Sequence, residues 1–337
     1  MGSDIGSLLK KKNSHIEDLH NKKVAFDAHN VLYQFLSIIR QRDGTPLKDS
    51  NGLITSHLSG IFYRFLYIME EGIKPIFVFD GNPPELKRET LDRRKERRQK
   101  AQHKWDEAVE KGLEEEAFKY SQASVKLDDY IIESSKELLN CLGIPFVEAP
   151  GEGEAQAAHM VINGDVDFTA SQDYDALLFG SPLVIRNLTI TGKRKLPGKN
   201  TYVDVQPEII DLELSLSELE ITYYQLIDVA LCVGTDYNQG LYNIGPKKAV
   251  TLIKKYSTIE NLLKSMEYDD QNIGQVKKLF LHPLVTDKYK ISWENPNKDK
   301  LINLLCKKHN FSEERVSKAY DKLIQKTNPI QRTLDQF

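Results

Sequence analysis

Residues 150–180 read PGEGEAQAAHMVINGDVDFTASQDYDALLFG, and they place four acids in two short pairs, Glu152 with Glu154 and Asp173 with Asp175. Pro150 and Gly151 interrupt the chain and AQAAHMVI then reads as helix, so the first pair sits where a helix begins. The second pair follows an apolar run, 166–171, that reads as a short buried strand. Acids at a helix start and a strand end can converge on one point. Carboxylates so gathered repel unless a cation lies among them, and oxygen-only ligation favours Mg²⁺ or Mn²⁺ over Zn²⁺. One such pair alone is an ordinary solvated surface; three further acids in comparable places argue for a site.

Two of those three lie toward the N-terminus. KVAFD (23–27) is a strand ending in Asp27, and AHNVLYQFLSII continues with helical spacing at Val31, Leu32, Phe35, Leu36 and Ile39. After a turn-rich loop (41–52) and an amphipathic helix over 56–71, KPIFVFDG repeats the pattern and ends in Asp80. Acids at the carboxyl ends of strands occupy the usual site position of parallel α/β sheets, so Asp27 and Asp80 are expected side by side. Asp80 makes a poor helix cap, since Gly81, Pro83 and Pro84 follow it. An aspartyl phosphatase also starts this way, but it needs a second Asp where this chain has His29. Before the first strand, residues 1–22 show no clear element, with Ile5, Leu8 and Leu9 as a docking face.

Residues 85–111 lack Gly and Pro and read as one long helix. Between Lys87 and Lys100 its only apolar residue is Leu91, while Lys87, Arg88, Arg93, Arg94, Lys95, Arg97, Arg98 and Lys100 crowd the same half. Such a segment cannot bury an apolar face; it stands in solvent or meets a polyanion. Its second half recovers a stripe at Ala101, Trp105, Ala108 and Val109, and a partner helix carries Leu127, Ile131, Leu138 and Leu142. Residues 143–149 and 183–186 read as strands, and 187–205 as a two-stranded ribbon with Lys193, Arg194, Lys195 and Lys199 near its turn.

YYQLIDVALCVG (223–234) is a helix, and Asp236 lies just beyond it. GLYNIGPKKAVTLIKKY then gives a hairpin bounded by Gly240 and Gly245 and a helix with Pro246 in its first turn. Glycines at such a hairpin let backbone N–H groups at a helix N-terminus face phosphate without reading bases, and Lys247 and Lys248 add charge. This is a helix-hairpin-helix, an element that grips duplex DNA and holds a K⁺ ion on its carbonyls. The remainder to 326 reads as helices with loops around Asn295–Asn297, and Ser312 caps the last.

Composition narrows the class. The 337 residues carry a net charge of −3, so the basic charge is local rather than global. Cys141, Cys232 and Cys306 are odd in number and widely spaced, which points to reduced thiols in an intracellular protein without disulfides or a zinc motif. No apolar run reaches membrane-spanning length, no secretory signal is present, and Gly6 stands where myristoylation needs Ser or Thr.

In this order, KVAFDAHNVLYQFL, IFVFDGNPPELK, APGEGEAQAA, ASQDYDALLFG, NLTITGKRKLPGKN and the TDY-to-GPKKA stretch resemble the archaeal flap endonucleases of the structure-specific 5′-nuclease superfamily. The resemblance covers essentially the whole chain. It implies an α/β, mostly parallel sheet flanked by helices, a PIN-like nuclease core with a helical arch and a helix-hairpin-helix. The implied division is 1–82 and 131–222 for the core, 83–130 for the arch, 223–258 for the helix-hairpin-helix, 259–326 for a C-terminal helical part and 327–337 for a tail. By motif position the metal ligands are Asp27, Asp80, Glu152, Glu154, Asp173, Asp175 and Asp236. Lys87 and Arg94 fall where gateway residues touch the scissile phosphate, and Tyr33 where an aromatic stacks on a flipped nucleotide. The implied reaction is two-metal cleavage near the base of 5′ flaps in replication and repair, with 5′-3′ exonuclease activity, Mg²⁺ as cofactor and Mn²⁺ as its substitute. The tail QRTLDQF resembles a sliding-clamp (PCNA) motif through Gln331, Leu334 and Phe337, with one terminal aromatic where that motif has two. A monomer acting on flap DNA is expected. Two other readings stand beside it: a 5′ exonuclease or junction nuclease on the same core, and a non-catalytic helix-hairpin-helix DNA-binding protein.

Overall fold

The computed structural model describes residues 3–190, 192–195, 201–268 and 272–327. Its strands are β1 (Lys11–Asn13), β2 (Lys23–Asp27), β3 (Lys74–Phe79), β4 (Phe146–Glu148), β5 (Phe168–Ala170), β6 (Leu183–Arg186), β7 (Gly192–Lys195), β8 (Tyr202–Val205) and β9 (Glu208–Asp211). Seven form one sheet in the order β1-β9-β6-β5-β2-β3-β4, and β7 with β8 makes a separate ribbon. The centre is parallel, and only the pairings of β9 with β1 and β6 are antiparallel. Phe26 pairs with both Phe77 and Ala170, which brings the carboxyl ends of β2, β3 and β5 to one edge.

Side chains alternate across a strand, and both faces of this sheet are buried. Val24, Phe26, Phe77 and Phe79 face helices α1 (Ala28–Ile38) and α2 (Ser56–Glu70), where the Phe65 ring lies 4.9 Å from Phe26 and 4.6 Å from Phe77. Burying each such ring contributes about 1.5–3 kcal/mol. Ala25, Ile76, Val78 and Val147 face the other way. Residues 1–22 hold more than was read from them: β1 pairs with β9, and Ile5 and Leu9 are buried in the core rather than offered as a docking face.

The expected long helix over 85–111 is a 3₁₀ turn, Glu85–Lys87, followed by α3 (Arg88–Glu110). Only Ala101 and Ala108 of α3 are buried, as its charge demands. Its partner is α4 (Glu114–Ala123), which shares buried Ala117 and Ser121 with it. Ile131, Leu138 and Leu142, expected to pair with the arch, belong instead to α5 (Asp129–Leu142) and are buried in the main core. The arch is docked at its second half: Trp105 Nε1 donates to the Asp43 carbonyl at 3.2 Å, and Arg40 lies 5.7 Å from the Trp105 ring.

On the second face lie α6 (Gly153–Ile162), α7 (Asp175–Leu178), α8 (Leu212–Leu219), α9 (Tyr223–Val233), α10 (Pro246–Tyr256), α11 (Ile259–Ser265) and α12 (Ile273–Leu281). Helices α13 (Lys298–Leu301), its π-helical extension Ile302–Lys308 and α14 (Glu313–Thr327) return to the first face through Leu301, Leu304, Leu305, Val316 and Leu323. Among the described residues no helix is long and apolar enough to cross a membrane.

Between α9 and α10 the chain folds back tightly. Asn238 Nδ2 donates to the Leu231 carbonyl at 2.7 Å, and the Leu241 N–H to that of Cys232 at 2.8 Å. Gly240 has φ +74°, and a Cβ there would lie 2.4 Å from the Val233 oxygen. Gly245 differs, with φ −92° and open space around it. Gly240→Ala should therefore cost about 1–3 kcal/mol in chemical denaturation, through strain and clash. Gly245→Ala should stay within about 0.5 kcal/mol. Equal midpoints for the two variants would mean that the turn rearranges freely.

Candidate active site

The parallel strands deliver the first acids. Asp27 ends β2 and caps α1, accepting the Asn30 N–H at 3.1 Å. Asp80 follows β3 and accepts the Gly153 N–H at 2.6 Å. That bond explains the glycine between Glu152 and Glu154, because a Cβ on Gly153 would lie 2.7 Å from the same Asp80 oxygen. Glu152 is the N-cap residue of α6 and Glu154 lies in its first turn, where the helix dipole favours negative charge. Ser171 follows β5; its hydroxyl donates to Glu154 at 2.6 Å and accepts the Asp173 N–H at 3.1 Å. Asp175 opens α7 and accepts the Ser3 N–H at 2.8 Å. Asp236, past the end of α9, accepts two bonds from Arg94 at 2.6 and 2.7 Å.

These groups act on one another electrostatically. Burial, with Asp80 adding to it, pushes the Asp27 carboxyl up to about 7. Burial does the same at Asp175, also to about 7, with Asp236 and Asp173 contributing against the Ser3 N–H. Glu154 stands well above the ordinary range through burial and then Asp175, Asp27 and Asp173. Glu152 is raised by burial, Asp80 and Asp236 against the pull of Lys87. Asp80 is the exception: desolvation works against its charge, but His29, the Gly153 N–H and Lys87 together hold it below the ordinary value. Each of the seven acids thus bears on at least one other.

Side chains nearby answer this charge. Lys87 Nζ lies 2.5 Å from Glu152 and 3.8 Å from Asp236. Desolvation opposes its charge, yet Glu152, Asp236 and Asp80 hold its pKa above the ordinary lysine value. Tyr33, on α1, accepts a bond from Arg98 at 3.2 Å, one turn along α3 from Arg94. His29 Nδ1 lies 3.1 Å from Asp80 Oδ2, and ligand atoms of Asp27, His29 and Asp80 fall within 4.8 Å of one another. Sequence reasoning noted His29 only as a missing aspartate and lost Arg98 among eight basic residues. Its i+4 spacing from Arg94 was the signal available. Lys247 and Lys248 are exposed on α10, outside the carboxylate cluster; Lys248 reaches the Asn243 carbonyl at 3.4 Å. Gln331, Leu334, Phe337 and Lys199 lie outside the described residues.

Carboxylates gathered at the carboxyl edge of a parallel sheet, met there by cations of a basic helix and the turn before it, are the arrangement of a nuclease of the XPG type. Profiles for the XPG N-terminal domain and the XPG I-region match residues 5–101 and 143–236. The chain is 58% identical to flap endonuclease 1 of Methanococcoides burtonii over all 337 residues of both. In structure it resembles the flap endonuclease-1 of Methanococcus jannaschii, with TM-score 0.77 and 42% identity, over 98% of this chain and 100% of that one. It also resembles the catalytic core of Rad2 in complex with DNA substrate, with TM-score 0.73 and 26% identity, over 95% and 98%. The chain belongs to the flap endonuclease 1 family: it is a metal-dependent nuclease of DNA replication and repair that hydrolyses phosphodiester bonds of flap DNA.

The raised acids have a consequence for stability. Asp27 and Asp175 bind protons more tightly folded than unfolded, so ionising them costs folding free energy. Without metal, the melting temperature should fall as pH rises from about 4 through about 7, and then level off. Mg²⁺, which favours the ionised carboxylates, should recover most of the loss at pH 8. A metal-free melting temperature that rises over this window, or one indifferent to Mg²⁺ at pH 8, would contradict the electrostatics described.

Proposed function

We propose that Asp27, Asp80, Glu152, Glu154, Asp173, Asp175 and Asp236 hold two Mg²⁺ ions, with Mn²⁺ as a substitute. Their donors are hard oxygens, which suit these ions, and surplus negative charge is tolerable where Mg²⁺ keeps water between itself and a carboxylate. Such ions supply an activated water and stabilise the leaving oxygen of an in-line displacement. The products are a 5′-phosphate and a 3′-hydroxyl.

The observation that carries this reading is the placement of Lys87 and Arg94, which α3 and the turn before it bring into the acids, on Glu152 and Asp236. Cations at that point can bind the scissile phosphate, exchanging a carboxylate partner for a phosphate one. Tyr33 stacks on the displaced nucleotide, and Arg98 steadies its hydroxyl. The duplex is held by Gly240, Gly245, Lys247 and Lys248: Gly245 leaves the α10 N-terminus open to phosphate, and the turn's carbonyls take K⁺. All seven acids are present, which weighs against a non-catalytic DNA-binding protein. The protein works as a monomer inside the cell, and the tail residues Gln331, Leu334 and Phe337 plug into the sliding clamp.

Cleavage of end-labelled flap, nicked duplex and four-way junction with Mg²⁺ tests the assignment. Asp80→Asn and Asp175→Asn should each lower flap cleavage by at least about 100-fold while binding persists. Lys247→Ala should instead weaken binding and reduce its salt slope by about one. Near-normal turnover in either Asn variant would refute the metal assignment.

The tail makes a separate prediction. Burying Leu334 and Phe337 contributes roughly 3–6 kcal/mol before ordering costs, so the clamp should bind a peptide of residues 327–337 with micromolar affinity. Phe337→Ala should leave cleavage of free flap unchanged and abolish stimulation by the clamp. No calorimetric signal and no stimulation with the native terminus would leave the tail without this role.

A further inference from the structure

The segment between α12 and α13, residues 282–297, has no regular secondary structure, yet it is pinned along its length. It runs beside α6 in the same direction. The Leu284 carbonyl lies against Gly151, where a Cβ would be 3.3 Å from it. Gln156 is fully buried; its Nε2 donates to the Thr286 carbonyl at 2.9 Å, and its Oε1 accepts the Thr286 N–H at 2.8 Å. Asp287 meets His159 at 2.7 Å and Asn163 at 3.3 Å, and the Tyr289 hydroxyl donates to Asp165 at 2.5 Å. The contacts keep step: Leu284 meets Gly151, Thr286 meets Gln156, Asp287 meets His159 and Tyr289 meets Asp165, so the two segments advance together.

Both ends of this strap are anchored. Upstream, α12 is fixed to α9 by Lys277, 2.7 Å from the buried Asp228. Downstream, Tyr289, Ile291 and Trp293 pack on the cluster holding Ala157, Met160 and Val161, and Trp293 Nε1 donates to the Pro75 carbonyl at 2.8 Å. Beyond them the Glu294 N–H donates to the Gly143 carbonyl at 3.0 Å. Gln156 lies one helical turn beyond Glu152 and donates its own backbone N–H to the Glu152 carbonyl at 3.1 Å.

We propose that this strap is a splint that fixes the axial position of α6, and that Gln156 is the positioning residue through which it sets Glu152 and Glu154 for a divalent cation. A helix free to slide would carry both carboxylates off the acids of β2, β3 and α7. The side-chain amide couples the helix to a backbone that is itself tied to the duplex-gripping helices. This inference rests on Glu152 and Glu154 being metal ligands.

The test is calorimetric titration of the full chain with Mg²⁺ alone. Gln156→Leu keeps the volume and removes both amide bonds. Its Mg²⁺ affinity should fall about five-fold, with the metal-free melting temperature still well above that of the titration. Thr286→Pro removes the N–H from the other side and should give a similar shift. The double variant should be no weaker than the weaker single one, because both break one contact. Excess Mg²⁺ should restore single-turnover flap cleavage, which it would not do for a general packing defect. An unchanged Mg²⁺ isotherm in folded Gln156→Leu, or cleavage that excess Mg²⁺ does not restore, would overturn the splint. Glu154→Gln separates the two failures: if it also binds Mg²⁺ normally, the metal assignment itself is wrong and the splint falls with it. Should Gln156→Leu fail to fold, the Thr286→Pro isotherm decides by the same criterion.

Discussion

Like charges at one sheet edge are the constraint on which this structure turns. Asp27, Asp80, Glu152, Glu154, Asp173, Asp175 and Asp236 come from several elements, and desolvation disfavours the charged forms of Asp27, Asp80, Glu152, Glu154 and Asp175. The chain offsets the repulsion locally. The Ser3 and Gly153 N–H groups, the Ser171 hydroxyl and His29 each take one carboxylate, while Lys87 and Arg94 bring full positive charge. Much of the surrounding architecture follows. The base of the arch is tied down where its cations meet the acids, α6 starts at a glycine that Asp80 requires, and the N-terminal segment is drawn in by Asp175.

The same cations can serve two partners. On the proposed reading, a divalent ion takes over the carboxylates and a phosphate takes over Lys87 and Arg94, so each exchange frees what the other needs. The arch needs no apolar base for this. Its first half stays charged and solvated, and its second half is held by Trp105 on the Asp43 carbonyl and by Arg40 over the indole. Chemistry and docking are thereby placed at opposite ends of one helix.

Much of this was legible because periodicity and strand-end acids are local signals. KVAFD and KPIFVF each close an apolar run with an aspartate, and both strands form as read. The exposure of α3 followed from its charge. Other features were hidden because tertiary pairing decides them. β1 is Lys-Lys-Asn, with no apolar residue, and exists only through its pairing with β9. The stripe on α5 announced a buried face but not what buries it, so the arch was given the wrong partner. Helix α4 lies inside the stretch 83–130 expected to be helical, but its pairing with α3 is a tertiary contact that the sequence does not announce. The strap over 282–297 carries no period at all; its contacts with α6 appear only once the chain is folded.

The account stands most directly on where a divalent ion binds. Anomalous diffraction from crystals soaked in Mn²⁺ would locate it. The account predicts two peaks among the seven carboxylates, each within direct or one-water reach of several, with Lys87 and Arg94 moved off Glu152 and Asp236. Peaks held elsewhere, or none at this edge with both ion pairs intact, would contradict it.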